Sequence, residues 1–293
     1  MKLNYVSRIS FGLQRYKTIA TNRATSRVLD GSYNSIYKGR SMNFDELREY
    51  VPGDDIKDID WKATSRSQKV LVRQYIAEKK HNIMFVMDTN KRMLADTDMG
   101  EEKRDVALIS GGSLAYMVDH NGDYVSAIFP DNKSMRHFPF KRGLLNLETI
   151  LSNYHDSVTY DNDSDLNNAL SYLIRNIRRR MIIVIITDME GTRKLDESLL
   201  RQLVIVHDVL LVNVSDADMF GKKIYSVDRR DYIPPFVSES KRLKKISEKK
   251  RKEIIDSNEN KLNHHGIAHT TVDTADQVDR SLIELLEKHK HWK

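Results

Sequence analysis

The sequence contains no cysteine, which excludes a disulfide framework, a thiolate metal site and a cysteine nucleophile. It also lacks any window close to the roughly eighteen consecutive apolar residues that a membrane-spanning helix needs. Basic side chains interrupt the N-terminal segment, which therefore lacks the apolar core of a signal peptide. A Gly-x-Ser-x-Gly elbow and a Walker A loop are absent as well, so neither acyl transfer nor nucleotide hydrolysis is expected. These absences predict a cytoplasmic protein without a membrane span.

Positive charge exceeds negative charge and is concentrated near the two ends of the chain. The 48 Lys and Arg residues against 42 Asp and Glu residues give a net charge of +6. Residues 239–255 alone hold eight basic residues and three acids. Such segments can meet nucleic acid, anionic lipid or an acidic protein face, or they can simply keep a solvated surface soluble. Because no aromatic residues are interleaved with the basic ones, we do not expect nucleic-acid binding.

The apolar pattern predicts a sheet that is buried on both faces. Residues 83–87 form an apolar run without polar alternation, which is typical of a central strand in a parallel sheet. Further strands are predicted over residues 69–76, 124–129, 135–140, 181–187, 209–214 and 267–272. Helices are predicted over residues 101–120, 144–151, 166–177, 198–206 and 278–286. Because strands and helices alternate, we expect a doubly wound, mostly parallel α/β sheet with right-handed crossovers.

Four segments are predicted along the chain. Residues 1–80 form an N-terminal extension, in which residues 44–50 have helical spacing, and residues 81–230 form the main α/β domain. Residues 231–264 form a basic helical arm, because the apolar residues between 241 and 262 make only a thin stripe. Residues 265–293 return to the main domain as its last strand and helix.

Two acids are predicted to share one edge of the sheet. Asp88 directly follows the first apolar run, and Asp188 ends the most apolar segment of the chain. Ligands of open α/β sheets bind at the carboxyl ends of the strands. Two carboxylates at that edge, together with side-chain oxygens from a third loop, would provide the oxygen octahedron that magnesium prefers.

This arrangement resembles the metal-ion-dependent adhesion site of von Willebrand factor A-type domains. That site uses Asp-x-Ser-x-Ser after the first strand, a Thr from a later loop and an Asp from a further strand end. On this pattern, Asp88 and Asp188 match the two acids. Asn90 and Arg92 stand at the positions of the two serines, and Ser164 stands near that of the threonine. The resemblance implies that a magnesium ion, if bound, would be held by these residues other than the arginine.

Arg92 departs from the family pattern at a position that matters for metal binding. A guanidinium has five hydrogen-bond donors and no acceptor, and it stays positive at any working pH. If Arg92 points inward, it pairs with Asp88 and Asp188 and occupies the place of the cation. We therefore expect no bound cofactor and a metal-free ion cluster at a degenerate adhesion site. The structural alternative is that the acids only cap helices and anchor turns.

A second, more specific pattern lies upstream. Residues 39–66 contain, in this order, Phe, Arg-x-Tyr, Pro-Gly-Asp-Asp, Ile-Asp-Trp and a further Arg. This block resembles the signature of the bacterial domain of unknown function 58 (DUF58) family, in which it precedes a von Willebrand A-like domain. The resemblance covers about residues 30–290. Many members of that family accompany MoxR-type AAA+ ATPases and look like adaptors or co-chaperones rather than enzymes.

The residues and the resemblance together lead to two functional hypotheses. The first is a non-catalytic protein-interaction module that docks onto a MoxR-type AAA+ ATPase or its client protein. Its predicted docking residues are Asp88, Asn90, Arg92, Ser164 and Asp188. Arg92 would bind a carboxylate of the partner directly through a charge-assisted hydrogen bond. The second hypothesis is a magnesium-dependent hydrolase, in which the Asp88 and Asp188 pair holds a metal ion that activates water.

Overall fold

The computed structural model describes residues 4–7, 9, 46–54, 56–67, 69–74, 80–132, 134–218, 220, 225–227 and 230–291. These residues form two compact units. The smaller unit holds the described residues between positions 33 and 80, and the larger unit holds the others.

The described part of the smaller unit contains a two-stranded antiparallel sheet and a short α-helix. Strand β1 (Glu46–Glu49) pairs with β2 (Leu71–Gln74), and helix α1 (Trp61–Ser67) lies between them in sequence. The carboxylate of Asp60 begins the helix, because it accepts hydrogen bonds from two backbone N–H groups of the first turn, each at 3.0 Å. The helical interpretation of residues 44–50 is wrong where the chain is described. Pairing with β2 satisfies backbone groups of this segment and outweighs its weak local preference.

The larger unit alternates strands and helices along the chain. Its elements are β3 (Asn82–Met87), α2 (Lys103–His120), β4 (Tyr124–Pro130), β5 (Met135–Lys141), α3 (Leu144–Ser157), α4 (Leu166–Asn176), β6 (Ile182–Asp188), α5 (Met189–Lys194), α6 (Glu197–Val206), β7 (Asp208–Val214), β8 (Tyr225–Ser226), β9 (Asp231–Tyr232), α7 (Pro235–Ser238), α8 (Lys241–His264), β10 (Ala268–Val272) and α9 (Val278–His291). Among the described residues, strands β8 and β9 form a separate two-stranded sheet.

The main sheet has six strands in the order β10-β7-β6-β3-β4-β5. All neighbours are parallel except β4 and β5, which form an antiparallel pair at one edge. Every residue of β3 and β6 is buried, as their unbroken apolar runs predict. The prediction of a doubly wound, mostly parallel α/β sheet is therefore confirmed.

Helices cover both faces of this sheet. Helices α2, α3 and α9 pack together on one face, while α4, α6 and the end of α8 pack on the other. Helix α2 lies very close to the sheet at Gly111, which has no Cβ atom. A Cβ atom there would lie 2.9 Å from the Met87 side chain and 3.0 Å from that of Ile186. None of the described helices is both long enough and apolar enough to cross a membrane.

The start of the chain does not group with the rest of the predicted N-terminal extension over residues 1–80. Residues 4–7 and 9 belong to the larger unit. The buried carboxylate of Glu148 accepts hydrogen bonds from the backbone N–H groups of residues 4, 5 and 6 at 2.9–3.1 Å. A carboxylate at the N-terminus of a helical turn satisfies donors that have no partner within the turn. The predicted extension is therefore divided between the two units.

Replacing Glu148 with Ala should detach this N-terminal turn. The substitution removes the acceptor of three backbone donors, and a buried unsatisfied donor costs about 1–3 kcal/mol. We expect the free energy of unfolding to fall by about 2 kcal/mol in urea denaturation. The control is Glu287→Ala in α9, where the exposed side chain makes no hydrogen bond with the described part of the chain and the free energy of unfolding should change by less than about 0.5 kcal/mol. Equal stability of the two variants would contradict this assignment.

Candidate functional site

Asp88 lies at the carboxyl end of β3 and is held by four hydrogen bonds besides the one from Arg92. Its N–H donates to the carbonyl of Ile186 in the neighbouring strand at 2.9 Å. Its Oδ1 accepts from the N–H of Asn90 at 2.9 Å, and its Oδ2 accepts from the hydroxyl of Thr187 at 2.7 Å. The phenolic hydroxyl of Tyr154 donates to its carbonyl at 3.2 Å. The carboxylate is buried and fixed in direction.

Asp188 is the last residue of the adjacent strand β6 and also begins α5. Its Oδ1 accepts from the N–H of Gly191 at 2.7 Å, which caps the helix. Gly191 allows the two strand ends to come close, because a Cβ atom there would lie 1.9 Å from Thr187 Oγ1 and 2.9 Å from Asp88 Oδ2. The structure therefore brings both predicted acids to one edge of the sheet.

Arg92 points inward and bridges the two acids. Its Nη2 lies 3.2 Å from Asp88 Oδ2, and its Nε lies 3.3 Å from Asp188 Oδ2. The backbone that carries it is a 3-10 turn over Lys91–Leu94, which Asn90 caps by accepting from the N–H of Arg92 at 3.1 Å. The side chain is 17% exposed, so it is not fully enclosed by the protein.

A second cation, Lys103, lies deeper in the same cluster. Its Nζ is 3.1 Å from Asp188 Oδ2 and forms an ion pair with Asp216, which follows the end of β7. Asp216 also accepts from the N–H of Met189 at 3.2 Å. Lys103 is buried, and together with Arg92 it brings the cluster to three carboxylates and two cations.

Burial and ion pairing shift the pKa values of the three acids in different directions. Burial raises the pKa of Asp88, and the attraction of Arg92 only partly opposes that effect. Burial would also raise the pKa of Asp188, but Lys103 and Arg92 outweigh it and hold that pKa below its usual range. Burial raises the pKa of Asp216 in spite of Lys103. Asp188 is therefore the acid that the surrounding charges keep ionised most strongly.

The carboxylate oxygens of Asp88 and Asp188 are already occupied by hydrogen-bond donors of the protein. Each of the four oxygens of Asp88 and Asp188 accepts at least one hydrogen bond from the chain, and both Oδ2 atoms accept from a cationic side chain. Among the residues that the structure describes, no group of three or more His, Cys, Asp or Glu side chains could hold a metal ion. The donor set of this cluster does not fit a divalent cation, because Arg92 and Lys103 supply the positive charge that a cation would bring.

Asn90 and Ser164 lie beside the acids and serve the loops. The Oδ1 of Asn90 is used in capping, and its Nδ2 donates to the carbonyl of Ser164 at 2.9 Å and to Asp163 at 3.2 Å. The hydroxyl of Ser164 lies 3.3 Å from that of Thr89. Neither side chain donates a hydrogen bond to Asp88 or Asp188; the polar atoms of both are used within the loops.

Residues 46–220 match the family described as "Protein of unknown function DUF58". The chain belongs to the DUF58 family. Its mostly parallel α/β sheet agrees with the fold that the resemblance implied. The match begins at β1 and ends just after Asp216, so it includes every charged residue of the cluster.

Curated relatives of this DUF58 protein occur in mycobacteria. Uncharacterized protein Rv1480 of Mycobacterium tuberculosis and uncharacterized protein Mb1516 of Mycobacterium bovis are each 30% identical to it over 194 residues. Each alignment covers 64% of this chain and 60% of the relative. The chain thus spans about 60% of the length of these relatives.

Solved structures with a similar chain course include two bacterial proteins. BatB from Bacteroides thetaiotaomicron is 16% identical, with a TM-score of 0.44 over 71% of this chain and 98% of that chain. A von Willebrand factor type A protein from Catenulispora acidiphila is 8% identical, with a TM-score of 0.38 over 73% of this chain and 43% of that chain.

Sequence reasoning missed Lys103 and Asp216, although each carries a signal. Lys103 is a cation in the first turn of α2, where the helix dipole disfavours positive charge, so a compensating acid could have been expected nearby. Asp216 follows a predicted parallel strand by two residues, as Asp88 follows β3 by one. A search for acids after every parallel strand would have found it.

Replacing Lys103 with Met should destabilise this DUF58 protein strongly. The variant leaves Asp188 and Asp216 with one shared cation fewer, and breaking a buried ion pair costs about 3–5 kcal/mol. We expect a loss of about 3 kcal/mol in the free energy of unfolding near pH 7, measured by urea denaturation.

The loss of unfolding free energy in Lys103→Met should become smaller at acidic pH. The lowered pKa of Asp188 means that its stabilising charge is present above the pKa of an unfolded aspartate and is lost as the pH falls through the folded value. The difference between Lys103→Met and the wild type should therefore narrow below about pH 4. The control is Lys194→Met, whose ion pair with Glu190 is solvent-exposed and should contribute less than about 1 kcal/mol. A loss that stays constant with pH would contradict the pairing.

Proposed function

We propose that this DUF58 protein is a non-catalytic protein-interaction module that docks through the strand-end edge where Arg92 caps Asp88 and Asp188. The observation that carries this proposal is the use of all four carboxylate oxygens by donors of the chain itself. A site closed in this way does not need a cation to be complete. It presents the partly exposed side chain of Arg92 instead.

The contact with a partner is proposed to be a direct one between Arg92 and a carboxylate. Two of the five donors of this side chain are engaged with Asp88 and Asp188, and its Nη1 has no recorded hydrogen-bond partner in the described part of the chain. A carboxylate of the partner could accept from Nη1 in a charge-assisted hydrogen bond. That contact would replace the cation bridge of a working adhesion site.

The charges of the cluster make this docking sensitive to pH. Three carboxylates face two cations, so an approaching carboxylate adds negative charge to a site that already has an excess of it. A proton taken up by Asp88 or Asp216 would remove that excess, and burial raises the pKa of both. We therefore expect docking to strengthen as the pH is lowered toward the pKa of these two buried acids, which lies above that of an ordinary aspartate.

The partner proposed from the family resemblance is a MoxR-type AAA+ ATPase or its client protein. A cytoplasmic location for the pair remains a prediction from the sequence. The rival hypothesis, a magnesium-dependent hydrolase using Asp88 and Asp188, gains no support from this geometry, because both acids are engaged by Arg92 and Lys103 carries further positive charge. Phosphoester hydrolysis that disappears in Asp188→Asn would favour the rival.

Capture of the cognate ATPase by immobilised protein tests the docking contact. Arg92→Ala should weaken capture at least about tenfold, because a charge-assisted hydrogen bond contributes about 1.5–3 kcal/mol. Arg92→Lys retains the charge but loses the planar fork that reaches two acids, so it should restore capture only in part.

The matched control for this capture assay is Arg193→Ala. Arg193 is an exposed arginine in α5 that pairs only with Glu190 among the described residues, and its variant should bind as the wild type does. Circular dichroism of each variant separates lost docking from lost folding. Undiminished capture by a folded Arg92→Ala protein would count against the proposed contact.

A further inference from the structure

The first half of α8 is a basic surface that faces solvent. Residues 241–252 contain eight Lys or Arg residues and one acid, Glu248. Six of the basic side chains are exposed and are called here the basic face: Lys241, Arg242, Lys245, Lys249, Lys250 and Lys252. An exposed cluster of this density attracts an anionic partner.

The helix is fixed to the body by its opposite side. Lys244 forms an ion pair with Asp218 at 3.1 Å, and Arg251 binds Asp98 through two hydrogen bonds of 2.8 and 3.2 Å. Two helical turns after Arg251, the side-chain amide of Asn258 donates a hydrogen bond to a main-chain carbonyl of α5 at 2.9 Å. Residues 244, 251 and 258 are seven apart and therefore lie on one side of the helix. The centre of the basic face is turned away from the body by this attachment.

Exposed apolar side chains border the basic face. Leu243 is 40% exposed, Ile246 is 55% exposed, and Phe236 of the adjoining helix α7 is 80% exposed. Single exposed apolar residues are ordinary on protein surfaces. A combination of basic and large apolar side chains on one exposed helical surface is characteristic of segments that lie in the membrane interface.

We propose that the basic face is a membrane-association surface that binds the headgroups of an anionic lipid bilayer. Lysine and arginine side chains contact the headgroup phosphates, and Leu243, Ile246 and Phe236 enter the boundary between headgroups and acyl chains. This inference concerns a surface and a partner separate from the Arg92 cluster, so either proposal can fail without the other.

The apolar border favours lipid over nucleic acid as the partner. Phosphates of a nucleic acid would neutralise the basic side chains but would leave the apolar ones in water, whereas a bilayer accommodates both. The second half of α8 carries Glu253, Asp256 and Glu259, which are exposed and repelled by anionic lipid. Contact is therefore confined to the first three turns, and the helix is tilted relative to the membrane plane.

Co-sedimentation of the full chain with vesicles tests this proposal. The probes are phosphatidylcholine vesicles with about one third phosphatidylserine, and pure phosphatidylcholine vesicles. We expect binding only to the anionic vesicles, and we expect it to fall as salt is raised. A variant with Arg242→Gln, Lys245→Gln, Lys249→Gln and Lys250→Gln should bind at least about a hundredfold more weakly.

A matched control removes the same charge elsewhere. Gln is placed at four exposed arginines in the last turn of α4 and in the segment between α4 and β6: Arg175, Arg178, Arg179 and Arg180. This variant should retain vesicle binding. The double variant Leu243→Ser and Ile246→Ser should bind vesicles several-fold more weakly without loss of folding, because both side chains are already exposed.

Four outcomes would overturn the proposal. They are no binding to anionic vesicles, equal binding to neutral vesicles, unchanged binding by the basic-face variant, and tighter binding to a DNA duplex than to anionic vesicles. DNA binding would also be unaffected by the Leu243 and Ile246 substitutions, because apolar side chains do not bind phosphates.

Discussion

One buried carboxylate, that of Asp188, sets the conditions for the whole site. It has no exposed surface, and an ion in such a position is stable only when charges and donors of the protein replace its lost hydration. The N–H of Gly191 satisfies one oxygen, while Arg92 and Lys103 share the other. Since Arg92 also reaches Asp88, the ends of β3 and β6 and the start of α2 are held together by one set of charges.

This compensation explains why the fold and the proposed docking function can use the same residues. In a working adhesion site, the positive charge arrives with a metal ion and a serine-rich loop helps to hold it. Here the chain carries its own positive charge on Arg92 and Lys103, so the geometry of the crevice does not depend on a bound cation. On our proposal, protonation of an acid replaces metal occupancy as the event that tunes the attraction for a partner carboxylate.

Much of this architecture could be predicted from the sequence because its signals are strong and local. Short, β-branched apolar runs such as residues 83–87 and 182–186 are typical of strands in a sheet covered on both sides, and the acids that follow such strands share an edge. For Arg92, the sequence predicted that the side chain would pair with both acids if it pointed inward, and the structure has it in that position. These features depend on period, chain order and the chemistry of a single side chain.

The remaining features depend on contacts between distant segments. Lys103 belongs to a charged stretch that reads as an ordinary helix start, and only the position of Asp188 after folding makes it part of the cluster. Ser164 stands at the expected point in the chain, but its hydroxyl meets Thr89 rather than an acid. Residues 46–49 form strand β1 instead of the expected helix because they pair with β2. The local sequence could not show this pairing, since the paired residues are 22 or more positions apart.

Isothermal titration with magnesium and manganese tests the central claim most directly, because it asks whether the chain's own cations have taken the place of a metal ion. The account predicts no binding by the wild-type protein at millimolar cation. It also predicts measurable binding once Arg92 is replaced by Ser and Lys103 by Met, provided that the variant folds. Micromolar binding by the wild type that is abolished in Asp88→Ala would contradict the account.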